Sequence, residues 1–347
     1  MQELITISFP VYNVSSSVRR SLVSALSQTY TNIEYLIVDD CGADDSMKII
    51  ADVLEDSARR DAVKIVKHPV NKGLGAVRNT SIENASGKYI YFMDSDDVLS
   101  VDCIEKLYQT MKETGVDFVA SSYAITNDGG FVEKEKSYGQ KISLRSNSEI
   151  LNYYYKEKGA IYIFMWNKLY SLAFINEYNI RCVHPIVEDD LFLFQVLLYS
   201  SSCCFIPDIT YYYVMNPESI TNILMKNDVS LLVSGIYCDI EHYKYKKIKC
   251  NAVGQRMAVY MKLNVFTESL FRANAIRLSS AVRLENKQKM LESMFSLPDM
   301  AVNWQIWCEM GYKFKIKLCF YKLFRVINLR MKLFFLRLLT KFVWCFS

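Results

Sequence analysis

Asp94, Ser95, Asp96 and Asp97 close an apolar run, YIYFM (89–93), that reads as a strand. Three carboxylates within four residues repel one another, each raising the energy of the next. Two readings accommodate them. In one, they form a solvated turn with a helix cap. In the other, they form a divalent-cation site, because hard cations such as Mg2+ and Mn2+ take oxygen ligands. There a pair of carboxylates binds the ion and a diphosphate fills its remaining positions. An ion so held offsets the charge of a leaving group as a bond to phosphate breaks. Two further acidic groups sit at element ends: Asp39 and Asp40 after IEYLIV, and Glu188, Asp189 and Asp190 before LFLFQVLLY. The last three also suit the positive end of a helix dipole, which favours acids by ~0.3–1 kcal/mol each.

The elements that must position these groups alternate between two periods. β-rich runs at 4–9, 33–39, 63–67, 88–94 and 117–121 are separated by helix-length segments at 15–28, 44–59, 73–85 and 101–114. Such alternation predicts an α/β fold with a mostly parallel central sheet and helices on both faces. Asp44, Asp45 and Ser46 precede the second helix and Ser100 the fourth, as capping residues do. Ligands of such sheets bind at the carboxyl ends of the strands, where Pro10–Asn13, Asp39–Gly42 and Asp94–Asp97 all fall. NDGG (127–130) reads as a hairpin turn. Residues 223–300 read as helical and carry no recognisable chemical motif.

Composition narrows the classes. Half of the 347 residues are hydrophobic (51%) and 14% are aromatic, yet no apolar stretch reaches the length of a membrane span. MQELITISFPVYN reads directly as a first strand, with no leader expected. The ten cysteines show no metal-ligand spacing, so they are read as packing residues in a reducing compartment. Nine of the 41 Lys and Arg lie beyond residue 312, where there is no Asp or Glu; the rest of the chain carries 32 basic against 37 acidic residues, about −5. An acidic body argues against nucleic acid as a partner.

PVYN (10–13), SQTY (27–30), IVDDCGADDS (37–46), NKGLGAVRN (71–79), GKYIYFMDSDD (87–97), WNKLY (166–170) and VEDDLF (187–192) occur in that order. Together they resemble the inverting family-2 glycosyltransferases of GT-A (Rossmann-like) fold, over about residues 3–222. The resemblance implies a nucleotide-sugar donor, a divalent cation (Mn2+ or Mg2+) at an Asp-x-Asp motif, and a downstream Asp as general base. It implies that Asp40 accepts a hydrogen bond from a uracil ring, and that Pro10 and Tyr12 line the base and ribose pocket. Lys72, Gly73, Arg78 and Asn79 fall on the segment beneath the nucleotide, where Gly73 and Gly75 permit close backbone approach. Arg78 pairs either with Asp94 or with phosphate. Asp94 is expected to face ribose or sugar and Asp96 to ligate the metal, with Asp97 a second ligand or its support. Asp189 is the implied base and Glu188 its orienting neighbour. Trp166 and Lys168 fall on the acceptor side, Trp166 either stacking on sugar or packing in the core. One departure from the family stands at Val214, where relatives carry a basic residue after YYY. If that basic residue contacts diphosphate, the charge has to be supplied elsewhere, for example by Lys168 or the loop before Ser219. His184 reads as structural.

The expected organisation is a GT-A domain at 1–222, with a nucleotide half (about 1–121) and an acceptor half (about 122–222), then a helical region at 223–312. Residues 313–347 are expected to form one basic amphipathic helix. Phe324, Ile327, Met331, Phe334, Phe335, Leu338 and Phe342 make an apolar stripe, and Lys322, Arg325, Arg330, Lys332, Arg337 and Lys341 the other half. Such a helix lies in a bilayer interface, or docks its stripe on the protein's own body. The reading is of a cytoplasmic protein peripheral to the inner face of the cell membrane. Its acceptor is expected to be a lipid-linked glycan of a bacterial surface polysaccharide. A non-catalytic nucleotide-sugar-binding or interaction protein of the same fold is the alternative.

Overall fold

A computed structural model describes residues 2–155, 161–162, 164–183 and 188–216, and beyond them 240, 242–248, 255–278, 288–289, 291–292, 302, 307–308 and 312–339. The chain divides into two compact units, Met1–Asn216 and Pro217–Ser347. The expected boundary at 222, His184 and the loop before Ser219 lie outside the described residues, as does most of 223–300.

The first unit is built on one ten-stranded sheet. β1 (Ile5–Val11), β2 (Ile33–Asp39), β3 (Val63–Lys67) and β4 (Tyr89–Phe92) run parallel in the order β3-β2-β1-β4. Beyond β4 the order continues through β9 (Lys168–Ser171), β6 (Phe118–Thr126) and β10 (Cys203–Val214) to the two-residue β5 (Val98–Leu99). β9 is antiparallel to both β4 and β6, and β6 is parallel to β10. Six strands therefore point the same way, and the carboxyl ends of β1, β2, β4, β6 and β10 share one edge with the start of β9. β7 (Val132–Lys136) returns along β6 across the expected turn at 127–130, where Gly130 has φ +79°. β8 (Ile142–Leu144) pairs with β10.

Helices α1 (Val18–Leu26), α2 (Ser46–Glu55), α3 (Leu74–Asn84) and α4 (Cys103–Thr114) fall where the periodicity places them. α5 (Asn147–Tyr155), α6 (Leu172–Glu177) and α7 (Glu188–Tyr199) follow. Alternate β1 residues Ile5, Ile7, Phe9 and Val11 are fully buried with Leu22, Tyr35, Ile50, Tyr91 and Leu107. Each such side chain contributes ~1.5–3 kcal/mol on burial. α7 is anchored by Phe192, whose ring meets Phe92 and Tyr170 edge-on at 5.8 and 5.7 Å. That contact brings the acidic first turn of α7 to the edge of β4 and β9.

The second unit contains α8 (Gln255–Leu278), α9 (Tyr312–Val326) and α10 (Leu329–Leu339). The expected single tail helix is thus two. Asn328 breaks it and caps α10, its Oδ1 accepting from Met331 N at 3.0 Å. Phe324 of the apolar stripe is used internally: it is buried, as are Leu318 and Tyr321, and Phe266 of α8 meets Tyr321 and Phe324 at 5.2 and 5.7 Å. Met331 and Phe334 stay exposed. Phe342 and Lys341 lie outside the described residues. Among the described residues no helix is long and apolar enough to cross a membrane.

Candidate functional site

The acidic turn at 94–97 is held from three sides. Across α1, Ser17 at its N-cap and Arg20 and Ser21 one turn on reach the successive carbonyls of Ser95, Asp96 and Asp97 at 3.2, 3.1 and 2.6 Å. The spacing i, i+3, i+4 puts all three on one helix face. From β10, Tyr211 OH donates to Asp97 Oδ2 at 2.7 Å and the Val214 N–H donates to Asp97 Oδ1 at 2.8 Å. From α3, the Arg78 Nη2 donates to Asp94 Oδ1 at 2.6 Å. α4 is capped by Asp102, with Ser100 Oγ donating to its carboxylate. The 94–97 turn therefore stands clear of the N-cap position of α4, which Asp102 occupies.

Asp94, Asp96 and Asp97 each bring a carboxylate oxygen within 4.8 Å of the others. Burial and the Asp94 charge push the Asp96 carboxyl up to about 6, and burial with Asp96 and Asp94 pushes Asp97 well above the usual range. A cation would relieve that repulsion, and an all-oxygen donor set suits Mg2+ or Mn2+. The residues fit the expected ion, with the Asp97 oxygens already tied to Tyr211 and Val214.

On the β1–β2 side, Pro10 is buried within β1, and Tyr12, just past its end, is 46% exposed. Asp40 is buried: Oδ1 accepts from Lys72 N (2.9 Å) and from His68 Nδ1 (2.6 Å), and Oδ2 accepts from Gly73 N (2.9 Å). His68 also reaches Thr80 Oγ1 with Nε2 at 2.8 Å. Asp40 thus shapes the 71–73 loop, where Gly73 at φ +84° caps α3 and the Lys72 side chain is exposed. Asp39 accepts from Cys41 N at 2.9 Å, and Lys67 stands 3.6 Å from its other oxygen. His68 was not legible in the sequence; its partner is 28 residues away.

Arg78 is completely buried, with Nε and Nη1 lacking partners among the described residues. Burial works against its charge; Asp94, with Asp189 and Glu188 beyond it, more than offsets that. The guanidinium is bonded to the 94–97 turn and feels the charges at the head of α7 without a hydrogen bond to them among the described residues. There, Glu188 is buried and its carboxyl is pushed up to about 8 by desolvation and the Asp189 charge. Asp189 is raised by burial and held down by Arg78, and its Oδ1 accepts the Met165 N–H at 3.0 Å. Asn79 exchanges two 2.8 Å hydrogen bonds with the Cys182 backbone, tying α3 to the chain that leads into α7.

Two expectations are corrected. Trp166 is stacked between Phe164 (4.5 Å) and Tyr211 (4.4 Å), with Tyr123 edge-on at 4.9 Å. Both ring faces are covered, so it offers none to an acceptor sugar; it packs against the tyrosine that holds Asp97. Lys168 is 2% exposed, donates to the Phe164 carbonyl at 2.6 Å, and is pushed down to about 7 by burial. It reaches neither an acceptor nor a diphosphate, and so does not replace the charge missing at Val214.

Residues 6–170 match Glycosyl transferase family 2. GlyG, a glycosyltransferase of Streptococcus pneumoniae, is 31% identical over 227 residues, 63% of this chain and 73% of GlyG. EpsH of Bacillus subtilis is 34% identical over 218 residues, 60% of either chain, and this chain spans 34% of GlyA from S. pneumoniae. Among solved structures, S. aureus TarS 1–349 superposes with TM-score 0.70 at 17% identity, over 93% of this chain and 88% of TarS, a likeness of fold. The chain belongs to glycosyltransferase family 2.

Proposed function

We propose that this protein transfers a sugar from a UDP-sugar to a glycan acceptor with inversion, with Asp189 as general base. The observation that carries the reading is the buried Arg78–Asp94 ion pair on the 94–97 turn, with the Asn79–Cys182 hydrogen bonds that tie the same helix α3 to the chain leading to the acidic head of α7, whose Asp189 and Glu188 charges favour the Arg78 cation. The comparisons agree in chemistry. TarS was solved with UDP-GlcNAc, and a Pyrobaculum calidifontis mannosyltransferase of TM-score 0.53 with GDP-Man and Mn2+. WfgD of Escherichia coli, 34% identical over 131 residues, is named a UDP-Glc:alpha-D-GlcNAc-diphosphoundecaprenol beta-1,3-glucosyltransferase. That name supports a lipid-linked acceptor.

In this reading Asp96 and Asp94 would hold the divalent cation beside the donor diphosphate, with Asp97 fixing the turn behind them. The ion supplies charge neutralisation for the departing UDP. Pro10, Tyr12, Asp39 and the 71–73 loop that Asp40 shapes form the uridine pocket. Asp189 keeps Oδ1 on the Met165 amide and takes the acceptor hydroxyl proton with Oδ2, as positive charge develops at the anomeric carbon. Glu188, neutral below about 8, crowds no second charge onto that carboxylate. Residues 1–216 form the catalytic unit, and the exposed apolar and basic residues of α9 and α10 meet an anionic membrane surface.

The test is UDP release from a panel of nucleotide sugars with Mn2+. Asp189→Asn is expected to lose ~10²–10⁴-fold in turnover while binding UDP like the wild type. Wild-type turnover in that variant, or no release from any UDP-sugar, refutes the assignment.

A further inference from the structure

β9 carries Lys168 and Tyr170 on one face, because strand side chains two apart point the same way. Both reach back to the chain just before the strand. Lys168 Nζ donates to the Phe164 carbonyl at 2.6 Å, and Tyr170 OH donates to the Met165 carbonyl at 3.2 Å. The Phe164 carbonyl belongs to the same peptide unit as the Met165 N–H, and that N–H donates to Asp189 Oδ1 at 3.0 Å. Below about pH 7, where Lys168 is protonated, one amide therefore has a cation on its oxygen and a carboxyl group on its hydrogen. Each partner polarises the amide in the sense that strengthens its bond to the other.

The arrangement is built, not incidental. Lys168 and Tyr170 are both buried, and a Lys ammonium is almost never buried unless paired. Its carbonyl contact and the nearby Asp189 charge account for its presence. The sulfur of Cys182, 3.6 Å from that of Met165, closes another side of the loop.

We propose that Lys168, seconded by Tyr170, is a positioning residue for Asp189, fixing through the 164–165 peptide which carboxylate oxygen is tied down and which faces the acceptor. The proposal rests on Asp189 being the base. Asp189 is faced by Arg78 from α3, Asp94 from the turn after β4, Glu188 from its own helix, Lys168 and Tyr170 from β9, and Cys182 from the chain after α6. Removing the ammonium takes away one of the two cations that favour its ionised form, so the acid limb of turnover moves to higher pH.

The experiment compares Lys168→Met, which keeps the stem and removes the charge, with Tyr170→Phe and Asp189→Asn in the full chain. UDP binding, melting temperature and UDP release against pH are measured for each. Lys168→Met is expected to lose about 10–100-fold in kcat, as for residues that orient a reacting group. Its UDP affinity should stay within about twofold, and its acid limb should move up by a measurable fraction of a pH unit. Tyr170→Phe, which deletes one oxygen, is expected to lose a few-fold in kcat with unchanged UDP binding, and it carries the test if Lys168→Met does not fold. Folded variants whose kcat and acid limb both match the wild type overturn the proposal. So does a parallel loss of UDP binding and kcat without movement of the limb, which marks a merely structural lysine. If Asp189→Asn is as active as wild type, the base assignment fails first; if it is inactive and Lys168→Met is normal, only the present inference falls.

Discussion

Arg78 offers the sharpest test of how this site is held together. Its guanidinium has no exposure, one ion pair at 2.6 Å to Asp94, and the Phe92 ring 5.6 Å from its central carbon. With charge centres about 4 Å apart and an effective dielectric of about 20, the pair is worth ~4 kcal/mol of Coulomb energy before desolvation. Desolvation consumes much of that gain, so the net contribution of the intact pair is small. Removing one partner is different, because the other carboxylates then face each other without a counter-charge, a loss of ~3–5 kcal/mol. Arg78→Met should therefore lower the unfolding free energy by that amount near neutral pH, seen as a lower urea midpoint, and Arg78→Lys by less, since Lys keeps the charge but not the planar fork. The loss should shrink on acidification, as Glu188 and Asp189 already resist ionisation in the folded protein. Asp94→Asn added to Arg78→Met should restore part of the stability. The assay is urea unfolding followed by far-UV circular dichroism across pH for the four forms of the double-mutant cycle. A destabilisation of Arg78→Met below about 1 kcal/mol, with no coupling to Asp94, would refute the argument.

Glu188 holds its proton to about 8 when folded against an ordinary 4.5, so the native state is favoured at low pH and loses that advantage as pH rises through 8. Each pH unit in that window costs the wild type at most about 1.4 kcal/mol. Glu188→Gln should gain in melting temperature relative to wild type between pH 5 and 9, and a flat difference would count against the burial argument. Mn2+ added with UDP should stabilise the wild type by ~2.7 kcal/mol at a hundredfold excess over Kd, read as a higher melting temperature. Asp96→Asn should lose most of the Mn2+-dependent part, which EDTA should reverse in the wild type; a full Mn2+ shift in Asp96→Asn would move the ion elsewhere. Asp40→Ala takes the acceptor from the buried His68 ring and from the part-buried Lys72 N–H, while Gly73 N keeps Asn71 Oδ1, at ~1–3 kcal/mol for each group left unsatisfied in the interior. UDP affinity measured by calorimetry should fall with it, and unchanged affinity would detach the 71–73 loop from the uridine pocket.

What the sequence determined by itself was local in cause. Alternating periods of two and 3.6 placed β1 to β4 and α1 to α4 to within four residues at either end, because each segment's pattern of apolar side chains suffices to make it a strand or a helix. The same locality put Asp94–Asp97 and Asp39–Asp40 at strand ends and Glu188–Asp190 at a helix start. Which of those groups face a ligand was decided by partners far along the chain. Asp97 is tied down by Tyr211, 114 residues on, and Asp40 by His68. Trp166 and Lys168 read as acceptor-side groups until the sheet order put β9 between β4 and β6 and sealed both inside. The tail kept its basic amphipathic character, yet Phe266 claimed part of its apolar stripe and Asn328 broke it in two. A side chain's chemistry is written in its own residue. Its exposure, its charge neighbours and the direction of its polar atoms come only from packing, which no local pattern contains.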